Sequence, residues 1–154
     1  MLQITREMCR KAHVTPIRWG MPLLQAGMGR CPWRTAVASM LCNRTSRVVA
    51  EPALRMLFAL WPTAGDLARA NGWLVELCIA KLGIRGARTR ARRLTRFSSL
   101  YTGDAWHDLR ELPGVGAYVN DAVGLCCFGC TELCCEDHAL TAYVKETLCA
   151  QSSR

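Results

Sequence analysis

The sequence predicts an all-α fold, and three observations carry that reading. Apolar residues recur at helical spacing along most of the chain. The periodic runs stop at Gly or Pro, and the alternation of a half-buried strand is scarce. Pro32 suits a first helical turn, and Trp33 to Cys42 follows it with Val37, Met40 and Leu41 on one side. Ser46 stands where a cap would precede the next helix, whose apolar face is Val49, Ala53, Leu54, Leu57, Phe58 and Leu60 before Trp61-Pro62 ends it. Thr63-x-x-Asp66 has the form of a capping box ahead of a short helix near Leu67 to Ala70. Trp73 to Leu82 is a further helix, stopped by Gly83. An arginine-rich helix from Ala87 to Tyr101 buries Ala87, Ala91, Leu94 and Phe97, and Asp104 to Glu111 and Ala117 to Cys127 are two more helix-compatible runs. The last helix starts just after Asp137, with Leu140, Tyr143, Val144 and Leu148 as its packed stripe.

A chain of 154 residues amounts to one domain, or to two small lobes sharing one cleft. The formal net charge is +8, and Arg85, Arg88, Arg90, Arg92, Arg93 and Arg96 concentrate it. Such a run is either a solvated helix face or a surface for a polyanion, where each neutralised phosphate releases counterions. No apolar run reaches the roughly 18 residues of a membrane span, because Glu51, Arg55, Asp66, Arg69 and Glu76 interrupt the most hydrophobic region. The first residues carry charge without an apolar run behind it, so a secreted protein is not expected. The expected compartment is the cytoplasm or nucleoid, or the nucleus of a eukaryote, and therefore reducing. Of the 10 cysteines, Cys126, Cys127, Cys130, Cys134 and Cys135 cluster. Cys127-x2-Cys130-x3-Cys134 approaches ligand spacing, but a structural zinc site draws on two separated pairs, and buried thiols are the favoured reading over a metal or redox centre.

Leu112-Pro113-Gly114-Val115-Gly116 falls between two helical runs. Read alone it is a tight turn. Glycine there also permits a positive φ and a close approach of another backbone, and free amides at a helix N-terminus favour an anion, so the same turn can hold a phosphate. Asp137 sits where an aspartate commonly caps a helix, which is equally where a catalytic carboxylate can be held facing a cleft. Asp121 is expected to bond backbone near the hairpin. His13, His107 and His138 have no ligand spacing with a carboxylate, and the five tryptophans read mainly as structural.

The combined pattern resembles the helix-hairpin-helix (HhH-GPD) DNA glycosylases of base excision repair, in which the hairpin is followed by an aspartate. Leu24-Gln25, Pro32-Trp33, Asn43-Arg44-Thr45-Ser46, Leu82-Gly83-Ile84, Tyr118-x-Asn120-Asp121 and Glu136-Asp137-His138 are most similar to the branch of methyl-CpG-binding-domain thymine glycosylases, over about residues 22 to 150. The resemblance implies a two-lobed helical fold around a DNA-binding cleft. One lobe would comprise about 1–31 plus 118–154 and the other about 32–117, with the helix-hairpin-helix at about 104–127. Double-stranded DNA would be the partner of a monomer, and the reacting nucleotide would be flipped out of the stack.

The same resemblance assigns residues. Leu112, Gly114, Val115 and Gly116 would grip the phosphate backbone, with a monovalent cation on the hairpin carbonyls. Arg44 would fill the vacated space, and Leu82, Gly83 and Ile84 would wedge beside the unpaired base. Gln25 and Tyr118 would line the base pocket, and Asp137 would stabilise the sugar cation and direct water, with Tyr118 sharing in catalysis. Lyase relatives such as endonuclease III carry a lysine at the Tyr118 position, so a monofunctional enzyme is implied. Iron-sulfur relatives place four cysteines after the aspartate; only Cys149 follows Asp137, so no cluster, structural metal or other cofactor is expected. The implied substrate is uracil, thymine or a 5-substituted uracil in mispaired DNA. A transferase acting on modified thymine in phage-type DNA and a non-catalytic DNA-binding module are the alternatives. The intact set of Gln25, Tyr118 and Asp137 argues against the second.

Overall fold

The computed structural model describes residues 1–153, and among them the regular elements are all helical. The central helix, Pro32–Cys42, begins with proline at its first position, where the missing amide would have had no partner anyway. Call it α2; Arg6–Lys11 is α1. Nearly every side chain of α2 is buried, which requires neighbours on all sides. They are α3 (Arg47–Leu60), α6 (Ala87–Tyr101) and α7 (Ala117–Phe128). Its polar residues find partners inside the helix layer: Trp33 Nε1 donates to Ser98 Oγ on α6 at 2.9 Å, and Ser39 Oγ donates to the Thr35 carbonyl at 2.7 Å. Trp33 also meets Phe58 of α3 edge to face, 5.5 Å between ring centres.

Two short helices, α4 (Ala64–Ala68) and α5 (Gly72–Lys81), pack on α6. The final helix, α8 (His138–Ser152), buries Leu140 and Val144 against Leu23, Ala122 and Leu125 in a second, smaller core beside the main one. Among the described residues no helix is long and apolar enough to cross a membrane.

Several boundaries differ from the sequence expectations. The capping box at Thr63 and Asp66 is present, but the helix starts at Ala64, directly after the cap, and not at Leu67. Ser46 occupies the cap position of α3 without donating or accepting a capping bond. Asp104 to Glu111 is not a helix: only Leu109–Glu111 forms a 3-10 turn, capped by Asp108 and Glu111. The reason is tertiary. Trp106 turns inward to stack on Tyr101, and the Leu109 amide is taken by the carbonyl of Ile4. Leu148 is exposed, so the α8 stripe ends at Val144, and Trp73 lies on the surface. Two elements lacked any sequence forecast: α1, capped by Thr5, and the 3-10 turn Leu24–Gly27.

The start of the chain is stitched to the hairpin region. Thr5 pairs with Asp108 as an isolated antiparallel bridge, and Asn120 Nδ2 donates to the Leu2 carbonyl at 3.0 Å. Asp108 also accepts from the Arg110 guanidinium and backbone, which holds its carboxyl below the usual carboxylate range. A depressed pKa means stability that is present above the unfolded value and lost as pH falls through the folded one. Asp108→Ala should therefore destabilise the protein by about 1 kcal/mol near neutral pH, as lost caps do. In urea unfolding, the gap to the parent should narrow below about pH 4.

Candidate nucleic-acid cleft and active site

The hairpin turns on two differently used glycines. Leu112 and Val115 are buried and anchor it, while Gly114 and Gly116 are exposed. Gly114 has φ +84°, and a Cβ there would stand 2.7 Å from Arg93 Cδ and 3.2 Å from Met40 Cε. Gly116 has an ordinary φ and would meet no protein atom within 4 Å. It is the N-cap of α7 and offers no side-chain cap, so the first amides of α7 receive no capping bond from it.

Beside this turn lies a pocket of about 340 Å³ lined by Met40, Leu41, Asn43, Arg44, Arg90, Arg93 and Leu94. Arg90 is committed to its wall: its guanidinium donates to the carbonyls of Met40, Leu41 and Asn43, at 3.3, 3.0 and 2.8 Å, closing the C-terminal end of α2. Burial, with Arg93 adjacent, lowers its pKa. Arg44 follows in a left-handed conformation, φ +57°, and is exposed. Arg85, Arg88, Arg92, Arg93 and Arg96 are exposed as well. Gly83, at φ +78°, makes the tip of the turn after α5 with half-buried Leu82, whereas Ile84, 4% exposed, faces the core.

Three predicted residues from distant parts of the chain come together. Gln25, 3% exposed in the turn Leu24–Gly27, donates from Nε2 to the Tyr118 hydroxyl at 2.7 Å. Arg47 steadies that turn by donating to the Met21 and Pro22 carbonyls just before it. Tyr118 is the second residue of α7, so the hairpin fixes its place directly. Burial, with Cys42 and Asp137 nearby, pushes its phenol well above the ordinary value. Asp137 caps α8: one oxygen accepts from the Leu140 amide at 2.9 Å, and the other has no partner among the described residues. Burial pushes the Cys42 thiol up to about 11, with Arg47 and Arg90 opposing and Asp137 reinforcing that effect.

Comparison with known proteins follows this geometry. No family model matches the chain. Over 114 residues it is 32% identical to the methyl-CpG-binding domain protein 4-like protein of Arabidopsis thaliana, a match spanning 74% of this chain and 25% of that relative. Among solved structures, a thermostable thymine-DNA glycosylase superposes with TM-score 0.58 at 21% identity, covering 65% of this chain and 48% of that one. The fold is that of the helix-hairpin-helix DNA glycosylases. A trapped endonuclease III–DNA covalent intermediate superposes at TM-score 0.54 and 22% identity, over 80% of this chain and 56% of that one. The chain thus spans a quarter of the curated relative it matches, and about half of each solved glycosylase chain.

Within this glycosylase fold, Asp121 differs from its expected place. It bonds the loop before α8, accepting from the amides of Cys134 and Cys135, and not backbone at the hairpin. The clustered cysteines divide by environment. Burial pushes Cys127 up to about 12 and Cys126 higher still, while Cys134 is exposed. Among the described residues no three His, Cys, Asp or Glu side chains converge on a metal-sized site. Sequence reasoning missed Cys42 and Arg90 at the site. No spacing marks Cys42, and Arg90 looked like one arginine of a run.

The two glycines should separate on substitution. Gly114→Ala should cost about 1–2 kcal/mol in denaturant unfolding, from its left-handed backbone and the displaced Arg93. Gly116→Ala should cost less than about 1 kcal/mol, because alanine fits there without strain.

Proposed function

We propose that the chain is a monofunctional DNA glycosylase that flips a pyrimidine from mispaired duplex DNA and hydrolyses its N-glycosidic bond. The observation that carries this reading is the hydrogen-bonded Gln25–Tyr118 pair held beside Asp137 by the helix that leaves the hairpin. Breaking the bond leaves cationic character on the sugar and an electron pair on the departing base nitrogen. Asp137 has one oxygen free to stabilise the first and to take the proton of the attacking water, whose oxygen bonds to C1′. Tyr118 accepts from Gln25 and so keeps its own proton for a base oxygen; its raised pKa keeps that proton in place.

The DNA contacts follow from exposed groups. The amides at the start of α7 and the exposed arginines of α6 suit phosphates, and Arg44 stands at the mouth of the adjacent pocket. Among the described residues the Pro113, Gly114 and Val115 carbonyls accept no hydrogen bond, so the oxygens that a monovalent cation would take, offsetting phosphate charge, are among these three. Leu82 and Gly83 at the α5 turn are the proposed wedge, with buried Ile84 anchoring it. Uracil and thymine opposite guanine, and 5-substituted uracils, are the proposed substrates.

A panel of duplexes bearing uracil, thymine and 5-hydroxymethyluracil opposite guanine and adenine, read by alkali cleavage, tests the reading. Base release is expected from at least one; binding without release from any would favour a non-catalytic module. On the best substrate, Asp137→Asn should slow single-turnover release by roughly 100- to 1,000-fold and leave duplex affinity nearly unchanged, because the carboxylate acts on charge that develops in the transition state. A near-normal rate would remove Asp137 from the mechanism.

Strand cleavage through an imine needs an amine at C1′. Lys11, Lys81 and Lys145 are the only lysines, all exposed, and none belongs to the Gln25–Tyr118–Asp137 group. Borohydride should therefore trap no protein–DNA adduct on a uracil duplex, and the product strand should stay intact until alkali is added. A trapped adduct with nicking would show that a lysine reaches the sugar.

A further inference from the structure

The segment between α7 and α8 decides where Asp137 stands; Leu133 and Cys135 rest on the second core, and few hydrogen bonds fix its backbone. Gly129 and Cys130 are held by the end of α7 through the Leu125 and Gly124 carbonyls. Among the described residues, the segment from Thr131 to Glu136 is tied beyond itself by a long bond from Cys130 Sγ to the Glu132 carbonyl at 3.8 Å and by Asp121, whose Oδ2 accepts from the Cys134 amide at 2.6 Å and the Cys135 amide at 2.7 Å. Asp121 is 4% exposed, and a carboxylate taken out of water is retained only when charged or hydrogen-bonding partners replace that water. Two converging backbone amides do so here, with short bonds of the charge-assisted kind. Burial, with the Asp121 carboxylate adjacent, pushes the Cys135 thiol up to about 11.

The position along the helix gives these bonds a consequence. Tyr118 and Asp121 lie three residues apart on α7, hence on neighbouring positions of one face. The residue that contacts the base pocket and the residue that holds the loop before Asp137 therefore move as one rigid piece. We propose that Asp121 is a positioning residue for the reaction: by gripping the Cys134 and Cys135 amides it fixes the Asp137 carboxylate relative to Tyr118 and to the sugar of the flipped nucleotide. The inference rests on the glycosylase reading and adds to it a residue that touches no substrate. A carboxylate displaced by about 1 Å loses on the order of 100-fold in rate without a matching loss of binding.

The test uses the full chain with Asp121→Ala and Asp121→Asn beside the parent. Single-turnover uracil release and the Kd for a duplex carrying a tetrahydrofuran abasic analogue are measured for each. Asp121→Ala should lose roughly 100-fold in rate with Kd within about twofold of the parent. Asn retains an oxygen acceptor without the charge and should recover at least half of that loss on a logarithmic scale. A rate within threefold of the parent for folded Asp121→Ala would overturn the proposal, and so would a loss of affinity as large as the loss of rate. If circular dichroism shows Asp121→Ala unfolded, Asp121→Asn decides: a slower rate at unchanged Kd sustains the proposal, and the parental rate overturns it. Hydrogen exchange of the Cys134–Glu136 segment is measured in parallel. If the parent itself releases no base, the glycosylase reading fails separately, while unchanged exchange in both variants would sink the Asp121 grip itself.

Discussion

Arg90 lays its guanidinium across the last carbonyls of α2, and much of the cleft depends on that contact. A helix as buried as α2 leaves its terminal carbonyls facing its neighbours and not bulk water, and orphaned carbonyls there are costly. One side chain from α6 serves three of them at once. By doing so it fixes α6 against the end of α2, brings Arg93 next to the hairpin glycine, and lets the chain turn sharply at Arg44 toward solvent. The basic helix is thus two things: a structural clamp at Arg90, and an exposed row of cations around it.

That division explains what the sequence could and could not convey. Periodicity and caps are local, so α2, α3, α5, α6, α7 and α8 were legible with boundaries off by a residue or so. The Asp137 cap was legible for the same reason. Short pieces whose form is decided by distant partners were not. Asp104 to Trp106 has helical composition, yet the Trp106 ring and the Ile4 carbonyl hold it in an irregular, bent path. The turn carrying Gln25 is only four residues long and is steadied by Arg47, which lies well beyond it in sequence. Asp121 illustrates the limit most clearly. That it would bond backbone was foreseeable, but the backbone it bonds belongs to a loop without regular structure and not to the hairpin.

The site also shows how burial and neighbouring acids select a protonation role against the pull of one hydrogen bond. Tyr118 accepts from Gln25 and lies among Cys42 and Asp137, neighbours whose ionised forms would oppose a phenolate. Each influence but the Gln25 bond keeps the phenol neutral, and burial is the largest. A hydroxyl in that setting is a donor, placed two residues into a helix whose first amides receive no side-chain cap.

The stitching of the first residues to the hairpin bears on how the molecule is assembled. The hydrogen bond from Asn120 to Leu2 joins positions 118 apart in the chain, and the Leu109 amide reaches back to Ile4. Closing so long a loop carries a larger entropic penalty than joining α2 to α6, whose hydrogen-bonded residues Trp33 and Ser98 are 65 apart and Met40 and Arg90 are 50 apart. On a ribosome, Leu2 to Thr5 emerge before their partners and wait until α7 has been made. The hairpin region is thereby held on both sides only once these two segments have met, so synthesis arrested after α6 would leave Leu2 and Ile4 without the partners that flank the turn.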